Sequence, residues 1–328
     1  MKIRQLIAMG SFVLVAVAPF FAQADPVDPY KFVIISDHES IPRAEAAVAL
    51  IKSTYPFSQM GNQVVFEIKE ANPKKMNCKG NYLGIDRLIS CDASYIFQEA
   101  ASVGPHRVLV TTSSAVGGAG GTGAANGPLA IAGAGYSVPT LLHELLHTYG
   151  LADEYEYTES EANTYCKENG HPAPNSVSFE PRLSYASDAE ARSIHGGQIP
   201  WYGDILLSTL ITTGSELGSS PVTGLRKVFS GRVAGLFRGG NCNKKVPTWK
   251  PYFEDNIMKN HNVVDIPPIH AKAIVRAMSA ERGADITLLP PPPIESSDAR
   301  VNQGNSKNIK HDQSAENPRN PADSKPAN

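Results

Sequence analysis

Apolar residues recur along this chain in two rhythms, one of period two and one near 3.6, and the rhythms alternate in blocks. Lys31 to Ser36 (KFVIIS) is β-branched and aromatic and reads as a strand. Pro42 to Ser53 follows, with Ala44, Ala46, Ala47, Ala49, Leu50 and Ile51 at helical spacing. Gln63 to Ile68 alternates as a second strand, Ala93 to Ala101 reads as a helix, and His106 to Thr112 reads as a third strand. Leu129 to Ala134 adds one more apolar run. This alternation predicts an α/β (α+β) lobe built on a mixed sheet. A further helix is expected just after it. Leu141, Leu142, Leu145, Leu146 and Tyr149 supply its apolar faces, Ser137 is placed to cap it, and Pro139 fits its first turn. Beyond Tyr155 the pattern loosens. Ile199-Pro200-Trp201 and Val233 to Gly240 are apolar islands, assigned to the core of a second, irregular lobe. A last helix is expected over Ile266 to Gly283, with prolines at its start and glycine at its stop.

The helix after Pro139 carries the chemistry. His143 and His147 stand four residues apart, so both project from one face. Two neutral imidazoles so placed can grip one Zn²⁺, and Glu144 is positioned to take a proton from water at the ion. Gly150 supplies left-handed backbone freedom to end the helix and turn the chain back. That return brings Asp153 towards the histidines as a third, oxygen ligand, with Glu154 its neighbouring rival. The bland reading is a surface helix whose polar face happens to hold these residues. The leucines around them argue for burial instead, and two histidines and a glutamate inside a protein are costly without partners.

Composition narrows the setting. Lys2 and Arg4 precede an apolar stretch from Leu6 to Phe21 and then Ala22-Gln23-Ala24, the layout of a signal peptide spanning residues 1–24. The apolar run is short for a membrane anchor and contains Pro19, and no other segment is long and apolar enough to span a bilayer. Export to the periplasm or the extracellular space follows. The remaining chain, about 300 residues, is ample for one large core or two lobes. The formal charge of −2 is too mild, and basic clusters too sparse, for a nucleic-acid partner. Cys78, Cys91, Cys166 and Cys242 suit two disulfides in an exported protein. Three pairings exist; Cys78–Cys91 closes a short polar loop, which leaves Cys166–Cys242. From Thr287 the chain has no aromatic residue and seven prolines. Residues 287–328 are therefore expected to be a disordered tail, and residues 25–286 the catalytic domain.

Other motifs fall away. Gly118, Gly120 and Gly123 match GxGxxG, but no helix follows directly and the acid at the right distance is Glu144. A mobile loop bordering a cleft is the better reading of Gly117 to Gly127. Glu154, Glu156, Glu159 and Glu161 lack the spacing of an EF-hand and read as a solvated face.

The run HExxHxxGxxD from His143 to Asp153, followed far downstream by Asp255-Asn256-Ile257-Met258-Lys259-Asn260, resembles the metzincin metallopeptidases. LADEY (Leu151 to Tyr155), the Ile-Pro-Trp segment and the GLFRGG, WKPY and NIM series look like the bacterial IgA-peptidase-like family, over roughly residues 105–260. The resemblance implies a zinc endopeptidase with a mixed-sheet upper lobe that bears the metal helix, an irregular lower lobe and a cleft between them. It implies His143, His147 and Asp153 as ligands of one catalytic ion, Glu144 as general base, and Met258 in a turn that floors the site. Most metzincins place a histidine where Asp153 stands, and a minority use aspartate. Leu129 to Ala134 lies where zinc peptidases often expose a sheet edge for an extended peptide, which suits a protein or peptide substrate. Astacin-like relatives provide a tyrosine two residues past the methionine. That position is Asn260 here, leaving His261 and Tyr155 as candidates to stabilise the oxyanion. Only about six residues separate Ala24 from the first strand, so no inhibitory domain is expected there. Two other readings compete: a zinc amidase acting on cell-wall peptides, and a binding protein whose metal is structural. The intact Glu144 favours an enzyme, since a closed structural site needs no base.

Overall fold

A computed structural model describes residues 28–82, 85–114, 127–212 and 233–289. The expected signal peptide, most of the glycine-rich stretch and the chain from Pro290 onward lie outside the described residues.

Four strands form the central sheet: β1 (Tyr30–Ser36), β2 (Val64–Glu70), β5 (Arg107–Thr112) and β6 (Leu129–Gly133), in the order β2-β1-β5-β6. All three pairings are parallel, with Ile34 opposite both Ile68 and Leu109, and Val110 opposite Ile131. The α/β class holds. Among the described residues antiparallel pairing, expected within one mixed sheet, lies instead outside the central sheet, in two small separate sheets and two isolated bridges. One sheet joins β3 (Lys79–Tyr82) to β4 (Ile85–Ser90), and the other joins β7 (Val177–Ser178), β9 (Thr248–Lys250) and β8 (Phe237–Arg238). Parallel strands need long crossovers. Here the helix α1 (Ile41–Ser53) lies in the connection from β1 to β2, and α3 (Ala93–Ala100) in the connection from β2 to β5.

Both faces of the sheet are covered, which explains why β1 and β5 read as continuous apolar runs. Tyr30, Phe32, Ile34, Leu109, Ala130 and Ala132 face one core, shared with α1, α4 (Val138–His147) and α7 (Pro268–Arg282). Val33, Ile35, Val108, Val110 and Ile131 face the other, closed by α3 and by the four-residue helix α2 (Pro73–Met76). Cys78–Cys91 staples that second side, 13 residues apart in sequence.

The chain after Tyr155 carries α5 (Glu159–Tyr165) and α6 (Asp188–His195) and builds its own core. Trp201, Ile199, Ala234, Trp249 and Tyr252 pack there, and Trp201 Nε1 donates to the Gly235 carbonyl, so both apolar islands serve this lobe. Cys166–Cys242 bridges 76 residues. Helix α7 starts at Pro268 rather than Ile266 and stops at Gly283, whose φ of +69° is left-handed. The chain expected to become a tail at Thr287 is still held there: Thr287 N donates to Gln63 Oε1 and Leu289 N to the Gln59 carbonyl. Among the described residues, no helix is long and apolar enough to cross a membrane.

Candidate metal centre

Helix α4 packs Leu141, Leu142, Leu145 and Leu146 into the core with Ile257, Met258, Ile274 and Met278. Ser137 occupies the cap position and Pro139 the first turn, as the spacing predicts. The Ser137 hydroxyl, however, bonds the Thr140 hydroxyl rather than a helix amide. Apolar residues on both sides of the helix leave its histidine face pressed against the second lobe, and His143 and Glu144 are buried.

The orientation of each imidazole is fixed from behind. His143 Nδ1 lies 2.9 Å from the Ile257 carbonyl and His147 Nδ1 lies 2.7 Å from the Leu151 carbonyl. A carbonyl only accepts, so each Nδ1 carries the proton and each neutral ring presents a lone pair at Nε2. Those two Nε2 atoms stand 3.0 Å apart. The chain leaves α4 through Gly150, at φ +83°, and returns so that Asp153 Oδ1 lies 3.0 Å from His143 Nε2 and 3.2 Å from His147 Nε2. Oδ1 is buried and receives an aligned hydrogen bond from neither ring. With both rings neutral, three electron pairs converge on one point, an arrangement that is repulsive unless a proton or a metal ion sits among them. The spacings also suit the ion: tetrahedral zinc with bonds of about 2.0–2.1 Å separates its ligand atoms by roughly 3.3 Å. The other oxygen, Oδ2, accepts from Tyr157 Oη at 2.7 Å, which holds the carboxylate in this pose.

Electrostatics around the trio are strong. Burial would lower the His147 pKa, but the negative charge of Asp153 at 3.2 Å, with help from Glu144 and the Leu151 carbonyl, pushes it up to about 9. Burial would raise Asp153, yet the two histidines hold its carboxyl well below the usual range. The site therefore favours positive charge, whether delivered by protons or by a metal ion. Donor atoms of His143, Glu144 and His147 all lie within 4.8 Å of one another, so the Glu144 carboxylate stands close to both imidazoles. The His261 ring stands 4.0 Å from that of His143, centroid to centroid, and the Tyr155 ring 6.4 Å away. Both line a cavity of about 690 Å³, together with Arg238, Phe253 and Asn260.

Glu154 departs from expectation in two ways. It is neither a rival for the trio nor part of a solvated acidic face. It is buried, and both oxygens are taken: Oε1 by His270 Nε2 (2.7 Å) and Asn175 Nδ2 (3.0 Å), Oε2 by Asn256 Nδ2 (2.8 Å). Met258 is also fully buried, and its carbonyl accepts from Glu154 N at 2.8 Å. Sequence reasoning missed Tyr157, Asn175, Asn256 and His270. Three of these lie 21 to 116 residues from Glu154, and nothing in local spacing marks them.

No family model and no curated protein matches this sequence. Among solved structures, archaemetzincin from Methanopyrus kandleri is similar at 19% identity, over 38% of this chain and 76% of that one, with a TM-score of 0.28. So slight a likeness assigns no family. The case for a metal centre is carried by the trio's own geometry.

Proposed function

We propose that this protein is an exported zinc-dependent endopeptidase of metzincin type, in which His143, His147 and Asp153 hold one catalytic ion. The observation that carries the reading is the convergence of two Nε2 lone pairs and Asp153 Oδ1 on a single buried point. When bound there, zinc polarises both water and the scissile carbonyl. Three protein ligands leave the open position that separates catalytic from structural zinc sites.

The residues divide the remaining work. Glu144 accepts a proton from the attacking water and returns it to the leaving amine nitrogen. The Ile257 and Leu151 carbonyls keep the rings in the tautomer that presents Nε2, and Tyr157 orients Asp153. Met258 floors the site from the core. Among the described residues strand β6 pairs in the sheet with β5 alone and precedes α4, so its other edge suits an extended peptide backbone. The disulfides Cys78–Cys91 and Cys166–Cys242 suit an oxidising compartment, in agreement with the leader-like N-terminus.

The test compares wild type with Glu144→Ala for zinc content and for hydrolysis of casein and of purified peptidoglycan. The expected outcome is one zinc per chain in both proteins, casein cleavage by wild type, and a loss of about 10²–10⁴-fold in the variant. Cleavage of peptidoglycan alone would replace the endopeptidase reading with an amidase. Zinc binding without any hydrolysis would make the centre structural.

A further inference from the structure

The metal loop, the methionine turn and the C-terminal helix meet at one buried carboxylate. Glu154 directly follows Asp153, and its two oxygens receive three hydrogen bonds from side chains remote in sequence: His270 near the start of α7, Asn175 and Asn256. Asn175 also binds Ala152 at both its N–H (2.8 Å) and its carbonyl (2.9 Å), a two-point clamp on the residue before Asp153. Asn256 Oδ1 in turn accepts from Met258 N at 2.9 Å, and Met258 O accepts from Glu154 N at 2.8 Å. Between Asn256 and Met258 lies Ile257, whose carbonyl orients His143. Lys250 Nζ closes the ring by donating to the Glu154 carbonyl at 2.9 Å. Glu154, Asn175, Asn256 and His270 are all essentially inaccessible to solvent.

A buried polar network of this kind is a poor way to gain stability, because apolar replacements of similar volume often do as well. What it supplies is one fixed geometry, since the bonds to Glu154 form together only when its donors are all in place, with His270 bonded through Nε2 and not through its buried Nδ1. Here the geometry fixed is that of two of the three residues in the trio. One side of the network ends on the backbone that carries Asp153, and the other ends on the carbonyl that sets the tautomer and tilt of His143. We propose that Glu154 is the positioning residue of the metal centre, tying the Asp153 loop to the Asn256–Met258 turn so that both groups address one point.

This inference rests on the zinc reading above and makes a separate claim. Glu154→Gln keeps shape and much of the hydrogen bonding while removing the charge; Asn256→Ala cuts only the link to the turn. Each is compared with wild type for zinc dissociation constant by chelator competition, for thermal melting, and for kcat and KM on a labelled peptide. Each is also fully loaded with cobalt(II), whose visible bands report ligand geometry. The expected result is a folded protein with zinc affinity weakened about 10- to 100-fold, kcat reduced, KM little changed and cobalt bands altered at saturation. Folded variants with wild-type affinity, kcat and cobalt bands would overturn the proposal. So would loss of fold in both variants, because a positioning role must be separable from the fold. A wild-type protein that takes up no zinc refutes the zinc reading itself, whereas variants indistinguishable from a zinc-loaded wild type refute this inference alone.

Discussion

Asp153 and Glu154 are chemically similar neighbours with opposite tasks, and what surrounds each carboxylate decides which task it has. Asp153 keeps one oxygen aimed at the two Nε2 atoms, while both oxygens of Glu154 accept from buried donors. A third carboxylate, Asp37, shows the purely structural case. At the end of β1 it accepts Ser40 N on Oδ1, and Thr112 Oγ1, Ser113 N and Ser113 Oγ on Oδ2. Burial would raise its pKa, but these bonds outweigh burial and lower it below the ordinary 3.8. A depressed folded value means stability that is complete above the unfolded pKa and lost as pH falls through the folded one. Asp37→Asn is therefore expected to cost about 1–3 kcal/mol near neutrality, measured by denaturant unfolding. The gap to wild type should close as pH drops below 3.8. A gap that stays constant down to the acid limb would contradict this account of Asp37.

At the scale of elements, the decisive event is where α4 ends. Thr148 closes the helix and Gly150 takes a left-handed conformation, which reverses the chain within a few residues of His147. A side chain at that position meets the left-handed penalty of about 1–2 kcal/mol, so Gly150→Ala should lower the unfolding free energy by that amount. An unchanged denaturation midpoint would show that the turn does not need glycine. This boundary was legible in the sequence because its signals are local: histidines four apart, leucines around them, glycine at the stop. Strands β1, β5 and β6 were legible for the same reason, to within a residue or so at each end. Strand direction was not, because an apolar run carries no sign of whether its partner is parallel. Nor were Asn175, Asn256 and His270, whose role exists only once the fold brings them to Glu154. The reading of Glu154 as a solvated acid failed for that reason too. Charge spacing along the chain says nothing about which carboxylate will meet buried donors.

Across the whole molecule, a parallel sheet covered on both faces supplies a platform, and α4 lies between that platform and the irregular lobe. The lobe contributes what the sheet cannot: Ile257 behind His143, Tyr157 behind Asp153, and the walls of the adjoining cavity. Cys166–Cys242 fastens the lobe beside this support, since Asn241 receives Tyr157 N and donates to the Asp153 carbonyl. On the zinc reading proposed above, a cation completes the point between the two halves. Anomalous diffraction recorded across the zinc absorption edge, on crystals grown with one equivalent of zinc, addresses that point directly. A single strong peak is expected within bonding distance of His143 Nε2, His147 Nε2 and Asp153 Oδ1. A map with no peak there, or with zinc bound only elsewhere on the protein, would contradict the zinc reading.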